Sequence, residues 1–300
     1  MDLLRLPLVV LSQVFKNMSF KEKFFISLLS KRARNTLKLT AEIPDFSFLL
    51  SNDFYIHYHL TFAINEYPSY VFMGETVKNC CIGGEEMRLT FNENGVILRD
   101  QPFRKQMILA NHVLDSFRKP TFYVKCYNQT EPAFVWEFMK MINQRQLSIK
   151  SFDYDVAGNS SEFIPRILDE CTEVTDHVFI NVCFPDDFLY TPARPFKATK
   201  LSVCGKSNWL NLESFVNCRC ITIQLDVHSY QTAQTYQSFS KNGWIRRFDY
   251  KRGTEREIKK YWTEFKMRNE SEFFIYACNN CIGVHTKQAY LEFSKKDKPR

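Results

Sequence analysis

The 300-residue chain is 45% hydrophobic and 15% aromatic, with 28 Phe but only 9 Gly and 11 Pro. That composition excludes collagen-like, linker-like and low-complexity readings and supplies a packed core without a disulfide scaffold. The net charge of +7 is uneven: residues 1–40 hold eight basic side chains against Asp2 and Glu22, the last six residues are strongly basic, and the stretch between is slightly acidic.

A nucleic-acid-binding domain spreads cations along a groove and interleaves them with stacking aromatics, so no nucleic-acid partner is expected. The apolar run Leu6 to Leu11 is broken by Ser12 and Gln13, which is too short for a membrane span. Asp2 sits where a signal peptide needs a basic region. The chain therefore reads as intracellular, cytoplasmic or nuclear, with its ten cysteines reduced.

In chain order, Pro7 suits a first helical turn, and Leu11, Val14, Phe15 and Met18 follow at helical offsets. Ser19 with Glu22 three residues on is a capping-box signature, so a second helix starts there and carries Phe24, Phe25, Leu28 and Leu29. A third helix runs through Lys31 to Lys38 and ends before Pro44. Three short helices cannot hide that many large apolar groups by themselves. Either a partner covers some of them or the rest of the chain does. The cations Lys31, Arg32 and Arg34 read equally as a solvated helix face or as a surface for an acidic protein.

The string LLRLPLVVLSQVFKNMSFKEKFFISLLSKRARNTLK resembles an F-box, with Leu6-Pro7, Leu11, Val14-Phe15, Met18, Phe24, Leu28, Ser30 and Arg32 in the motif's pattern. It looks most like the F-box of the large nematode families, though it lacks the Trp found in many other F-boxes. The resemblance implies a three-helix unit that binds the Skp adaptor of cullin-RING ubiquitin ligases, and with it a cullin. It makes Leu6, Pro7, Leu11, Val14, Phe15, Phe24 and Leu28 the adaptor-contact candidates.

From 42 to 100 the chain alternates aromatic and polar residues, as in Tyr55-Ile56-His57-Tyr58 and Met87-Arg88-Leu89-Thr90-Phe91. Period two with a turn at 92–95 predicts a small antiparallel β segment. From about residue 104 the rhythm changes. Strand-like runs recur near residues 121, 149, 177, 200, 221, 248 and 273, at steps of about 22 to 28 residues, close to a leucine-rich-type repeat. Helical patterns lie between several of them, at Ala133–Ile142, Ser160–Leu168, Leu212–Phe215 and Ala233–Phe239. The spacing suggests a curved stack of strand–helix units; because the units share no L-x-x-L-x-L string, an ordinary α/β domain with parallel strands stays open.

The passage from Lys197 to Arg247 is similar to the type-2 F-box-associated domain of the same nematode families. Leu201, Val203, Trp209, Leu212, Cys218-Arg219-Cys220, Ile223, Leu225 and Trp244 carry the likeness. This implies a substrate-recruitment region of unstated specificity. The predicted fold class is α+β: an F-box at 1–40, a β-rich connecting segment at 41–103, and an irregular leucine-rich-repeat-like α/β body at 104–300 with the associated domain at about 185–250.

Chemistry that would argue against a binding role is sparse. Gly205-Lys206-Ser207 lacks the leading Gly of a phosphate loop, since position 200 is Lys. Cys278 and Cys281 have zinc-knuckle spacing and His285 follows, but no second Cys pair lies at a finger-like distance, so no metal is expected. His57 and His59 share one strand face and read as exposed β residues. His112, His177, His228 and His285 are scattered, and no G-x-S-x-G, H-E-x-x-H or G-x-G-x-x-G occurs. A thiol enzyme stays open in principle, because any of the ten cysteines could meet a histidine in space.

The resulting expectation is a non-catalytic substrate-recognition subunit of a Skp–cullin–F-box ubiquitin ligase. It needs no cofactor or membrane and holds an unknown protein substrate. The alternative is a repeat-like interaction scaffold outside ubiquitin transfer.

Overall fold

The computed structural model of the protein describes residues 5–40, 45–58, 76–92, 95–118, 120–127, 130–155, 162–182, 184, 188–204, 217–224, 254–259, 262–266, 272–278 and 281–296. The chain forms two compact units, Met1–Val156 and Ala157–Arg300. The boundaries drawn from sequence at 40/41 and 103/104 both fall inside the first of them.

The first unit begins with three helices, α1 (Leu8–Lys16), α2 (Phe20–Leu29) and α3 (Lys31–Thr40). Five strands follow: β1 (Asp45–Leu50), β2 (Phe54–Tyr58), β3 (Thr76–Ile82), β4 (Glu85–Asn92) and β5 (Gly95–Leu98). Then come α4 (Phe103–Ser116), β6 (Thr121–Cys126), α5 (Pro132–Gln144) and β7 (Ser148–Asp155). The strands of this unit lie in the order β7-β6-β1-β2-β5-β4-β3. The antiparallel segment predicted from the period-two alternation is present, because β1 to β5 pair antiparallel along that order. It does not end there. Strand β1 also pairs parallel with β6, and β6 parallel with β7, so one sheet joins what the sequence divided at residue 103.

Alternation along β1 explains the layering. Phe46 and Phe48 are fully buried, and Phe48 meets Phe122, Phe54 and Phe138 at centroid distances of 5.5, 6.0 and 5.3 Å. Phe138 belongs to α5, whose buried Phe134, Phe138 and Ile142 recur at helical spacing. Helix α5 was predicted at Ala133–Ile142 and begins one residue earlier, at Pro132, where a missing N–H costs nothing. The inward face also carries Met139, whereas Met141 is half-buried.

Helix α4 has no counterpart in the sequence reading. Gln106, Leu109, Ala110, Val113 and Leu114 form its buried face, but His112 and Ser116 are buried among them and blur the polar/apolar contrast.

Three glycines are demanded by the backbone. Gly83 and Gly84, at φ +60° and +83°, close the β3–β4 hairpin between Ile82 and Glu85, the left-handed pair a two-residue turn needs. A Cβ on Gly95 would stand 2.4 Å from the carbonyl oxygen of Ile56, so the β2–β5 approach excludes one.

The second unit holds α6 (Ile164–Cys171), β8 (His177–Asn181), β9 (Lys200–Cys204), β10 (Cys220–Gln224), β11 (Thr254–Lys259), β12 (Trp262–Lys266), β13 (Glu272–Cys278), β14 (Cys281–Thr286) and α7 (Lys287–Lys296). Strands β8, β9 and β10 are parallel neighbours, with His177 opposite Lys200 and Lys200 opposite Cys220. Strand β10 then pairs antiparallel with β14, and β14, β13, β12 and β11 continue antiparallel. The strand predicted at Phe273–Tyr276 is thus present as part of β13. It lies in an antiparallel ribbon and not in one more parallel repeat, because Cys278 and Cys281 face each other across a short hairpin that reverses the chain. Helix α7 packs on this ribbon, with Tyr290 stacked on Phe274 at 4.2 Å.

The α6 pattern predicted at Ser160–Leu168 is described as a helix from Ile164 onward, with Ile164, Ile167, Leu168 and Cys171 buried. The helices predicted at Leu212–Phe215 and Ala233–Phe239, the strand near 248, the loop Gly205–Ser207, His59 and His228 lie outside the described residues. Among the described residues, no helix is long and apolar enough to cross a membrane.

Candidate functional site: the N-terminal helices

Local chemistry sets the three helices in turn. Pro7 precedes α1 at φ −55°, and its carbonyl accepts the amide of Leu11 at 3.0 Å. Ser19 and Glu22 form the predicted capping box: the Glu22 amide donates to Ser19 Oγ, and the Ser19 amide donates to Glu22 Oε2 at 2.8 Å. Hydrogen bonds from the Ser19 backbone and hydroxyl hold the Glu22 carboxyl below its usual range. Ser30 ends α2 in an extended conformation, and its Oγ caps α3 by accepting the Ala33 amide at 3.0 Å. Ser12 Oγ donates to the carbonyl of Thr40 at 3.1 Å, tying the middle of α1 to the end of α3.

The inner face of α2 is built into the first unit. Phe20 is stacked with Tyr58 at 5.8 Å and lies edge-on to Phe46 at 6.0 Å. Phe24 meets Phe91 at 5.4 Å and the ring of His112 at 5.6 Å. Lys23 is buried as well, its ammonium 5.2 Å from the centre of the Tyr58 ring. Ser27 has one hydroxyl proton, which it gives to the Phe24 carbonyl, so its oxygen accepts from His112 Nε2 at 2.7 Å. Burial first, and Arg34 second, push the His112 imidazole down to about 4, which keeps it neutral.

The seven residues marked as adaptor contacts divide accordingly. Leu11, Phe15 and Phe24 are part of the chain's own interior, at 1%, 0% and 1% exposure. Leu6, Val14 and Leu28 are half-buried, and Pro7 is exposed. The division has a physical reason. A stripe at offsets of three and four marks the face of a helix that packs inward, and the downstream strands supply the surface that Phe24 packs against.

The large apolar groups left in water are others: Leu8 at 56%, Val9 at 77%, Val10 at 44% and Leu29 at 73%, with Leu39 also exposed at the end of α3. Val9 and Val10 lie off the Leu11–Val14–Phe15 stripe. Apolar residues on the face where an amphipathic helix should be polar were the sequence signal for them. Leu8, Val9 and Val10 are three consecutive apolar side chains in water at the start of α1.

Two further clusters bear on chemistry. In the second unit Cys220 on β10 faces His285 on β14, with Sγ and Nε2 3.5 Å apart. Burial raises the Cys220 thiol and lowers the His285 imidazole, so both favour their neutral forms, opposite to the thiolate–imidazolium pair of an activated nucleophile. Cys218 is likewise pushed up to about 12 by burial. In the first unit His57, expected exposed, is buried: its strand β2 lies between β1 and β5, where His57 faces Ser47 and Gly95. Burial pushes its imidazole down to about 4. Among the described residues, no group of three or more His, Cys, Asp or Glu side chains is placed to hold a metal ion.

Residues 3–40 match the F-box domain family, a span that coincides with α1 to α3. The chain therefore carries an F-box domain, the class of module that generally binds the Skp adaptor within Skp–cullin–F-box ligases and that generally serves without catalysis. No curated protein and no solved structure matches the chain.

Proposed function

We propose that this protein is the substrate-recognition subunit of a Skp–cullin–F-box ubiquitin ligase. Its F-box docks on a Skp adaptor, and its strand-rich body holds a protein substrate for the cullin-bound conjugating enzyme, in the cytoplasm or nucleus. The reading is carried by the exposed Leu8, Val9 and Val10 within the F-box match, three consecutive apolar side chains in water at the start of a domain whose Leu11, Phe15, Phe20 and Phe24 are packed inward. Catalysis in such an assembly is proximity: the receptor raises the local concentration of substrate lysines at the thioester.

For the body, the reading is a leucine-rich-repeat-like stack of the nematode type with a type-2 F-box-associated domain. Parallel neighbours in register 27, 23 and 20 residues apart, Thr121 with Ser148, His177 with Lys200 and Lys200 with Cys220, support the repeat character. Strands β9 and β10 are the described strands of the proposed associated domain.

The test is co-purification of the full chain with a Skp adaptor. Val9→Asp combined with Val10→Asp should abolish capture while leaving the circular-dichroism spectrum and melting temperature unchanged, since neither side chain is in the core. Capture that survives the double substitution, or no capture by the wild type, overturns the reading.

A further inference from the structure

Between β8 and β9 of the second unit, residues 188–199 run without helix or strand and are pinned to the end of α6. Tyr190 donates its hydroxyl to Asp169 Oδ1 at 2.8 Å. Arg194 donates Nε–H to Thr172 Oγ1 at 2.7 Å and pairs with Glu173 at 2.8 Å. Lys197 gives its amide to the Thr172 carbonyl at 3.0 Å and also pairs with Glu173. Tyr190 and Phe196 are buried, whereas Thr191 and Ala193 stand exposed between the pins.

The exposed span reads Thr191-Pro192-Ala193-Arg194, and Thr191-Pro192 is the one Ser/Thr-Pro step in the sequence. Proline holds the residue before it in extended backbone, the shape in which a kinase cleft reads its substrate. A hydroxyl outside regular structure, a proline next to it and a guanidinium three residues on make a complete recognition unit for one class of enzyme.

We propose that Thr191 is a phosphorylation site for a proline-directed Ser/Thr kinase that selects a base three residues after the acceptor. In that step Thr191 Oγ1 bonds to the γ-phosphorus of ATP, the bond to the bridging oxygen breaks to release ADP, and the hydroxyl proton passes to the kinase's base. The product carries a charge of roughly −1.5 to −2 and three strong acceptor oxygens. Arg194, three residues on with 55% of its side chain in water, is the guanidinium of the strap, and a phosphate competes with the single Glu173 carboxylate for it. The same phosphate repels Asp169, which receives the Tyr190 hydroxyl. Phosphorylation therefore loosens the pins on both sides of Thr191 and lifts the strap from α6.

The experiment incubates the full chain with ATP and a cyclin-dependent kinase, maps phosphate by peptide mass spectrometry, and follows hydrogen exchange of the Lys197 amide. The expected result is phosphate on Thr191, its loss in Thr191→Val, and faster exchange at Lys197 in the modified chain. Absence of phosphate at Thr191 overturns the site. Phosphate there with unchanged exchange at Lys197 overturns the coupling to the strap.

Discussion

Ser27 of α2 and His112 of α4, 85 residues apart in the chain, meet in a 2.7 Å hydrogen bond beneath the F-box helices. The bond makes the head part of the first unit's core. Ser27→Ala leaves the His112 Nε2–H buried without an acceptor, and about 1–3 kcal/mol of stability should be lost. Chemical denaturation of the full chain measures this as a lower midpoint at unchanged slope; an unaltered midpoint would show that the bond contributes nothing.

The same histidine makes stability depend on acid. Its folded pKa, about 4, lies below the 6.5 of an unfolded imidazole, so the unfolded chain binds the proton first. Its contribution is therefore complete above pH about 6.5 and declines as pH falls from 6.5 toward 4, with Arg34 opposing protonation and Asp115 favouring it. His57 acts in the same direction over the same window. Denaturation midpoints should fall between pH 7 and 4.5, and the fall should be shallower in His112→Gln.

Phe24 and Val9 should separate folding from docking. Phe24→Ala opens a cavity among Phe91, Phe25 and His112 and should cost about 3–5 kcal/mol. Val9→Ser removes an apolar group from water and should change stability by less than about 0.5 kcal/mol. Thermal melting of the two variants tests this contrast directly. If Val9→Ser unfolded the chain, the exposed placement of that side chain would be untenable.

Gly95 and Gly84 make a second contrast. Gly95→Ala drives a methyl into the Ile56 carbonyl 2.4 Å away, so β2 or β5 must shift, at a cost of about 1–3 kcal/mol. Gly84→Ala meets nothing in space and is penalised only through φ +83°, by about 1 kcal/mol. Equal melting temperatures for the two variants would contradict the close approach at Gly95.

In the second unit, Tyr290→Ala removes the ring stacked on Phe274 and should release α7 from the β13–β14 ribbon. Amide exchange confined to residues 287–296 should then accelerate while β8 and β9 stay protected. Uniform acceleration across the unit would show that the helix is not a separately released element.

Local order was legible in the amino-acid string. The capping box at Ser19 and Glu22, the helix at Ala133–Ile142, the alternating strands before residue 100 and the parallel strands at Phe122, Ile149, Val178, Leu201 and Ile221 each rest on neighbours a few positions away, and periodicity records such neighbours. Helix α4 escaped because buried His112, Gln106 and Ser116 interrupt its apolar face, and only tertiary partners such as Ser27 make that placement affordable. Whether Phe24 meets a partner or the chain's own body was also beyond the string. Phe24 is apolar whether it meets an adaptor or Phe91, and that choice was made by strands and helices many residues downstream, whereas α1, which carries the buried Leu11 and Phe15, packs on α3 within the F-box itself. Periodicity tells a helix which side is oily; the packing of distant segments decides which oily side is already covered and which is left for a partner.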